Sequence, residues 1–243
     1  MKLTPEQLKS FDHNGFLVLK DFANHNLCNN ILEKAKQHIE NQTAPLESED
    51  DYLETKSTSL TIRRLRQVYD REDIFKTWMT DFNIKPILKQ LLEDEPILVL
   101  AHHNSIMTKM PKESSRTSWH QDFRYWNYKN DNLVSIWLSL DNETLENGLL
   151  EFIPNSHKTN YSKQQFDTKS NFLDNNIINK KLIKTAVHTA LKRGDVVLFH
   201  CKTLHHANKN NTSKPKISFV YTVRGRANMS QKDTRSDYKE IIL

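Results

Sequence analysis

Apolar positions recur with a helical period in the first part of the chain and alternate in short runs from Pro96 onward. Thr4-Pro5-Glu6-Gln7 reads as a helix start, with a capping Thr and a Pro at the first helical position. Leu8 and Phe11 lie on one face of that helix, Gly15 stops it, and Phe16-Leu17-Val18-Leu19 follows as a strand-like run. From about Asn24 to Glu40, Leu27, Ile31, Leu32, Ala35 and Ile39 keep a helical spacing. The polar stretch from about Thr43 to Thr61 predicts a loop. A second helical pattern covers about Glu72 to Glu93, with a bend expected at Pro86, whose ring removes a backbone donor.

The later runs are Ile97–Leu100, Ser105–Met110, Leu133–Leu140, Leu149–Ile153, Ile183–Val187, Val196–His200 and Ile217–Val223. Turn-forming clusters such as Asp141-Asn142, Asn147-Gly148, Pro154-Asn155-Ser156 and Arg193-Gly194-Asp195 separate them. The expectation is a mainly β protein with N-terminal α-helices, its strands closing into a double-sheet jelly roll or barrel. The helices would cover one sheet. With no internal repeat and no linker in view, residues 1–243 read as one domain, helical over about 1–95 and jelly-roll over about 96–226.

Composition narrows the function classes. At 37% hydrophobic and 27% charged, the chain has the make-up of an ordinary globular protein. Its net charge of +5, from 35 Lys and Arg against 30 Asp and Glu, is spread along the chain. A nucleic-acid binder would gather it into a stripe with interleaved aromatics, so no nucleic-acid partner is expected. Spread in this way it reads as a solvated, mildly basic surface, with the steering of an anionic substrate as the weaker alternative. The first residues lack the apolar run of a signal peptide, and no stretch approaches the roughly 18 apolar residues of a membrane span. Cys28 and Cys201 form no metal-type or redox-type pair, so reduced thiols in a cytoplasmic setting are expected.

The segment Ser118-Trp119-His120-Gln121-Asp122-Phe123 carries the most chemistry. On extended chain, residues two apart point to the same side, so His120 and Asp122 can reach one metal ion. One His from a distant strand would complete a two-His-one-carboxylate face with coordination positions left open. His-x-Asp alone is a weak signal. The segment Gly194–His200, a turn feeding an apolar strand, leads into Thr203-Leu204-His205-His206-Ala207-Asn208 and supplies three candidates: His200, His205 and His206. His200 closes the apolar run and reads as a packed residue.

These motifs, in this order, resemble the phytanoyl-CoA dioxygenase family, a branch of the Fe(II)/2-oxoglutarate oxygenases. The resemblance runs through Leu3–Phe22, Trp119–Asp122, Trp137–Asp141, Glu146–Leu149, Ile153–Lys158 and Gly194–Phe199, and on to His205, Asn210 and Lys216. It implies a double-stranded β-helix core, and hydroxylation of a small-molecule or acyl-type substrate by dioxygen with release of succinate and CO2. Its register selects His205 over His206, giving the metal set His120, Asp122 and His205, and leaves His157 a structural turn residue. For 2-oxoglutarate it implies Lys216, where the family usually carries Arg, with Ser218, Lys109 and Trp137 around it. Lys lacks the bidentate fork of Arg, so the geometry is less well held. Arg124, Tyr125 and Trp126 would stand at the pocket mouth and meet substrate by stacking and charge. The Arg-to-Lys departure keeps open a catalytically silent or non-2-oxoglutarate metal-binding jelly roll.

Overall fold

A computed structural model describes residues 1–52 and 60–243. Local chemistry accounts for where its helices begin. Thr4 caps α1 (Pro5–Asn14) through a reciprocal box with Gln7, and Pro5 occupies a first-turn position where its missing N–H leaves nothing unpaired. Asn24 caps α2 (His25–Glu40), which buries Cys28, Ile31, Leu32 and Ala35. The helix expected over 72–93 is instead two, α3 (Asp73–Met79) and α4 (Lys85–Leu92). Pro86 lies in the first turn of α4, where the ring is tolerated, so it starts a helix rather than bending one.

The N-terminal region is not only helical. It contributes β1 (Phe16–Leu19), β2 (Leu46–Ser48) and β3 (Ile62–Arg66). The predicted loop over 43–61 therefore contains a strand and a 3-10 turn, Glu49–Asp51; its residues 53–59 lie outside the described residues. The strands β4 (Pro96–Val99), β5 (Ser105–Lys109), β6 (Thr117–His120), β7 (Leu133–Ser139) and β8 (Leu150–Phe152) follow. The run 183–187 does not form one strand: α5 (Ile177–Ile183), capped by Asn176, ends in it, and only β9 (Val187–His188) is extended. Then come β10 (Val196–His200), β11 (His205–Ala207), β12 (Lys216–Gly225) and β13 (Glu240–Ile242), the last beyond the expected end of the core at 226.

Among the described residues these strands form two antiparallel sheets. The larger has nine strands and runs β1-β10-β7-β12-β5-β3-β2, with β4 paired to β12 and β13 to β4; the smaller runs β6-β11-β8-β9. Period-two alternation divides the larger sheet. Leu65, Ile106, Ile136, Leu138, Phe219 and Tyr221 face outward and pack with Ile31, Phe75, Trp78 and Leu88 of the helices. Trp137, Val197, Phe199 and Val220 face inward against Leu150, Phe152 and Ala207 of the smaller sheet. The result is a mainly β jelly roll whose helices cover one sheet and whose other face encloses a space. Both cysteines are free and buried, Cys28 on the inner face of α2 and Cys201 beside Trp126 and Tyr128.

Gly15 ties α1 to the segment that presents β11. Its left-handed backbone (φ +81°) ends the helix, and its carbonyl accepts from the His200 N–H and the Thr203 hydroxyl, each at 2.8 Å. An added Cβ would meet His157 Nδ1 and Thr203 Oγ1 at 2.5 Å. Gly15→Ala is therefore expected to cost about 1–3 kcal/mol, from backbone strain alone at the lower end. An unchanged melting temperature would show that this turn re-forms without Gly.

Candidate metal centre

Two neighbouring strands build the centre. His120 ends β6 and His205 opens β11, and the two are register partners. Asp122 begins the 3-10 turn Asp122–Tyr125 immediately after. The His120 and His205 rings lie 4.2 Å apart, and their Nε2 atoms stand 3.5 and 3.8 Å from Asp122 Oδ1. One donor atom from each of the three residues lies within 4.8 Å of the other two. His120 Nδ1 is 2.8 Å from Ser118 O and His205 Nδ1 is 2.9 Å from Thr203 O. Carbonyl oxygens only accept, so each Nδ1 carries the proton and each Nε2 presents a lone pair to the common point.

The charges suit a cation. Burial alone would raise the Asp122 pKa, but the His103 and His205 imidazoles and the His120 hydrogen bond outweigh it and hold the carboxyl well below its usual range. Burial, aided by His120, pushes His205 down to about 4. At neutral pH Asp122 is thus a carboxylate and His205 a neutral imidazole, the protonation a divalent metal ligates.

The other histidines have different work. His206 points away, its Nε2 at 2.9 Å from Glu151 and its ring 4.0 Å from that of Trp119. His200 Nδ1 accepts from the Lys202 N–H at 3.1 Å. His157 donates to the Asp12 carbonyl at 3.1 Å. His103 was not foreseen: its Nε2 lies 3.4 Å from Asp122 Oδ1 and its Nδ1 3.2 Å from Ser135 Oγ. It sits in the turn between β4 and β5, where no period in the sequence marks an inward position.

Two spaces meet at His120. An inner cavity of about 140 Å³ lies between the sheets and is lined by His205, Met107, Lys109, Trp137 and Lys216 among others. An outer vestibule of about 630 Å³ is lined by Tyr125, Trp126, His103, Arg64, Arg116 and Arg235 among others. Tyr125 donates to the Lys169 carbonyl at 2.9 Å, and Trp126 is buried and stacked on His102. Arg124 does not line the vestibule. The 3-10 turn carries it outward, where its guanidinium lies 3.6 Å from the centre of the Phe166 ring.

Lys109 and Lys216 are register partners on β5 and β12, and both line the inner cavity. Lys216, Ser218 and Trp137 converge, but on a residue the sequence reading missed. Glu143, fully buried, accepts from Lys216 Nζ at 3.2 Å, Ser218 Oγ at 2.6 Å and Trp137 Nε1 at 3.0 Å. A Glu in the turn-rich stretch 141–148 reads from sequence as solvated, so nothing there signalled a buried acid. Lys109 Nζ donates to the Ser115 carbonyl at 2.9 Å. Burial pushes its pKa down to about 7, Lys216 and Arg63 add to the shift, and Glu49 opposes it.

The buried Lys109 ammonium makes stability depend on pH. Below pH 7 both folded and unfolded chains hold the proton, and the folded state bears the full cost of the buried charge. Between pH 7 and the usual lysine value the unfolded chain binds more protons, so stability rises with pH. Lys109→Met is expected to raise the melting temperature, and by more at pH 6 than at pH 9. An equal gain at both would mean that the ammonium is not desolvated.

Jelly-roll architecture with two imidazoles and one carboxylate gathered between the sheets defines the two-His-one-carboxylate class of non-haem metal proteins. Residues 11–218 match the model of the phytanoyl-CoA dioxygenase (PhyH) family, and the chain belongs to that family. The peroxisomal phytanoyl-CoA dioxygenase of Homo sapiens is 24% identical over 86% of this chain, which spans 65% of that protein's length. Ectoine dioxygenase of Halomonas elongata is 26% identical over 91% of this chain and 70% of its own length. The structure of EctD from S. alaskensis with 2-oxoglutarate and 5-hydroxyectoine superposes with a TM-score of 0.76 at 22% identity. That match covers 94% of this chain and 78% of EctD.

Proposed function

We propose that this protein is an Fe(II)- and 2-oxoglutarate-dependent dioxygenase that hydroxylates a small-molecule or acyl-type substrate and releases succinate and CO2. The observation that carries this reading is the donor set: two imidazoles locked at Nδ1 by backbone carbonyls, with both Nε2 atoms turned to the Asp122 carboxylate. His120, Asp122 and His205 would hold the iron. Bound metal and co-substrate would supply the electrons that activate dioxygen; the protein supplies position and exclusion of water. The inner cavity, with its lysines, is the place for 2-oxoglutarate, and the vestibule on the other side of His120 is the place for substrate. There Tyr125 offers a stacking face, and Trp126, already stacked on His102, forms part of the wall. Arg235 and Lys169 form no ion pair among the described residues, which suits an anionic substrate. No helix among the described residues is long and apolar enough to cross a membrane. A cytoplasmic setting is part of this proposal, in keeping with the free, buried thiols of Cys28 and Cys201.

The test is succinate formation on incubation with Fe(II), 2-oxoglutarate and dioxygen, beside the Asp122→Ala variant. Iron-dependent succinate that is absent from the variant supports the reading. A second reading, a metal-binding jelly roll that does not use 2-oxoglutarate, is favoured by the engagement of Lys216 and Ser218 with Glu143. Metal binding without any 2-oxoglutarate binding would decide for it.

A further inference from the structure

Four cationic side chains line the inner cavity: Arg63, Arg64, Lys109 and Lys216. Three of them are neutralised from within the protein. Arg63 is 3.1 Å from Glu49, Arg64 pairs with Glu47, and Lys216 is 3.2 Å from Glu143. Lys109 alone has no ion pair among the described residues. Its ammonium has three donors and spends one on the Ser115 carbonyl.

Glu143 is not one of the cavity-lining residues; Lys216 and Trp137, its partners, are. The carboxylate therefore draws their polar atoms away from the cavity. Its two oxygens are both engaged, Oε1 by Ser218 and Trp137 and Oε2 by Lys216. Its backbone is equally committed: the Glu143 N–H donates to Leu191 O at 2.9 Å and its carbonyl accepts from Leu191 N–H at 3.0 Å. Swinging Glu143 aside would break that bridge and leave a buried anion without its donors. Adding a second carboxylate to the same lysine would set two anions side by side in a low-dielectric interior.

We propose that Glu143 is a built-in carboxylate that permanently occupies Lys216, Ser218 and Trp137, so that Lys109 is the cation that receives the distal carboxylate of the co-substrate. This rests on the 2-oxoglutarate reading above and deepens it. Lys216 then acts only through Glu143, as half of a neutral pair that shapes the cavity wall. Asn210 supports Lys109 from behind, its side-chain amide donating to the Lys109 carbonyl at 2.7 Å and to Lys214 O at 2.8 Å.

The experiment is calorimetric titration of 2-oxoglutarate into full-length protein loaded with Mn(II), which stands in for Fe(II) without turnover. Wild type that takes up Mn(II) but shows no 2-oxoglutarate binding removes the co-substrate reading itself. Given wild-type binding, Lys109→Met is expected to weaken affinity by about 30-fold or more, the loss of a charge-assisted contact to a desolvated anion. The double variant Glu143→Gln/Lys216→Met removes the pair together while Gln keeps an acceptor for Ser218 and Trp137; its affinity is expected within about threefold of wild type. Wild-type affinity in Lys109→Met, or a loss of about 30-fold in the folded double variant, would overturn the proposal. Lys109→Met removes a charge that has no ion-pair partner among the described residues, so wild-type affinity in it overturns the proposal even if the double variant does not fold.

Discussion

His205→Ala is expected to abolish Fe(II) binding at micromolar concentrations, whereas His206→Ala leaves it largely intact. Losing a residue that merely orients a ligand costs metal sites roughly 10–100-fold in affinity, and losing one of three protein ligands costs more. The two histidines are adjacent, yet on a strand adjacent side chains face opposite ways. His205 Nε2 lies 3.8 Å from Asp122 Oδ1, while His206 Nε2 lies 2.9 Å from Glu151 and its ring rests on Trp119. His206→Ala should instead lower stability, since Glu151 keeps the Asn208 amide but loses its shortest contact. Metal titration of the two variants, with circular dichroism to verify folding, separates the cases. Retained binding in His205→Ala with loss in His206→Ala would reverse the assignment.

Lys216→Ala is expected to be among the most destabilising single changes in the chain. It leaves the Glu143 carboxylate fully buried and without its cation, and breaking a buried pair from one side costs roughly 3–5 kcal/mol. In a domain of this size that corresponds to a fall of about 6–20 °C in melting temperature. The partner change has the opposite sign: Glu143→Gln added to Lys216→Met removes both charges and should recover most of the loss. A small effect of Lys216→Ala would mean that water or another cation reaches Glu143, and that the pair is not closed.

Much of the fold was legible because amphipathic period is local. The α1 start, the α2 face, and the strands at 105–109, 133–139 and 196–200 follow from patterns a few residues long. Where the reading failed, tertiary context overrode the local pattern. Pro86 begins a helix instead of bending one, and the run at 183–187 is divided between α5 and β9. The short strands β2, β6, β11 and β13 have too few residues to show a period. They are strands because a neighbour supplies the hydrogen-bond ladder.

The candidate site divides along the same line. The sequence alone determined the residue types and order that mark the family, and hence His120, Asp122 and the register that selects His205. Each of those motifs is a short contiguous run, one on β6 and the turn after it and the other on β11, so local sequence can mark it. Only the tertiary structure decided which side chains share a space with them. His103 reaches Asp122 from another turn, Arg124 is carried out onto Phe166, and Glu143 arrives from a loop to claim Lys216, Ser218 and Trp137. A charged residue's sequence neighbours say nothing about its partner in the interior. The burial that makes these pairings strong comes from two sheets closing over them, which no local pattern encodes.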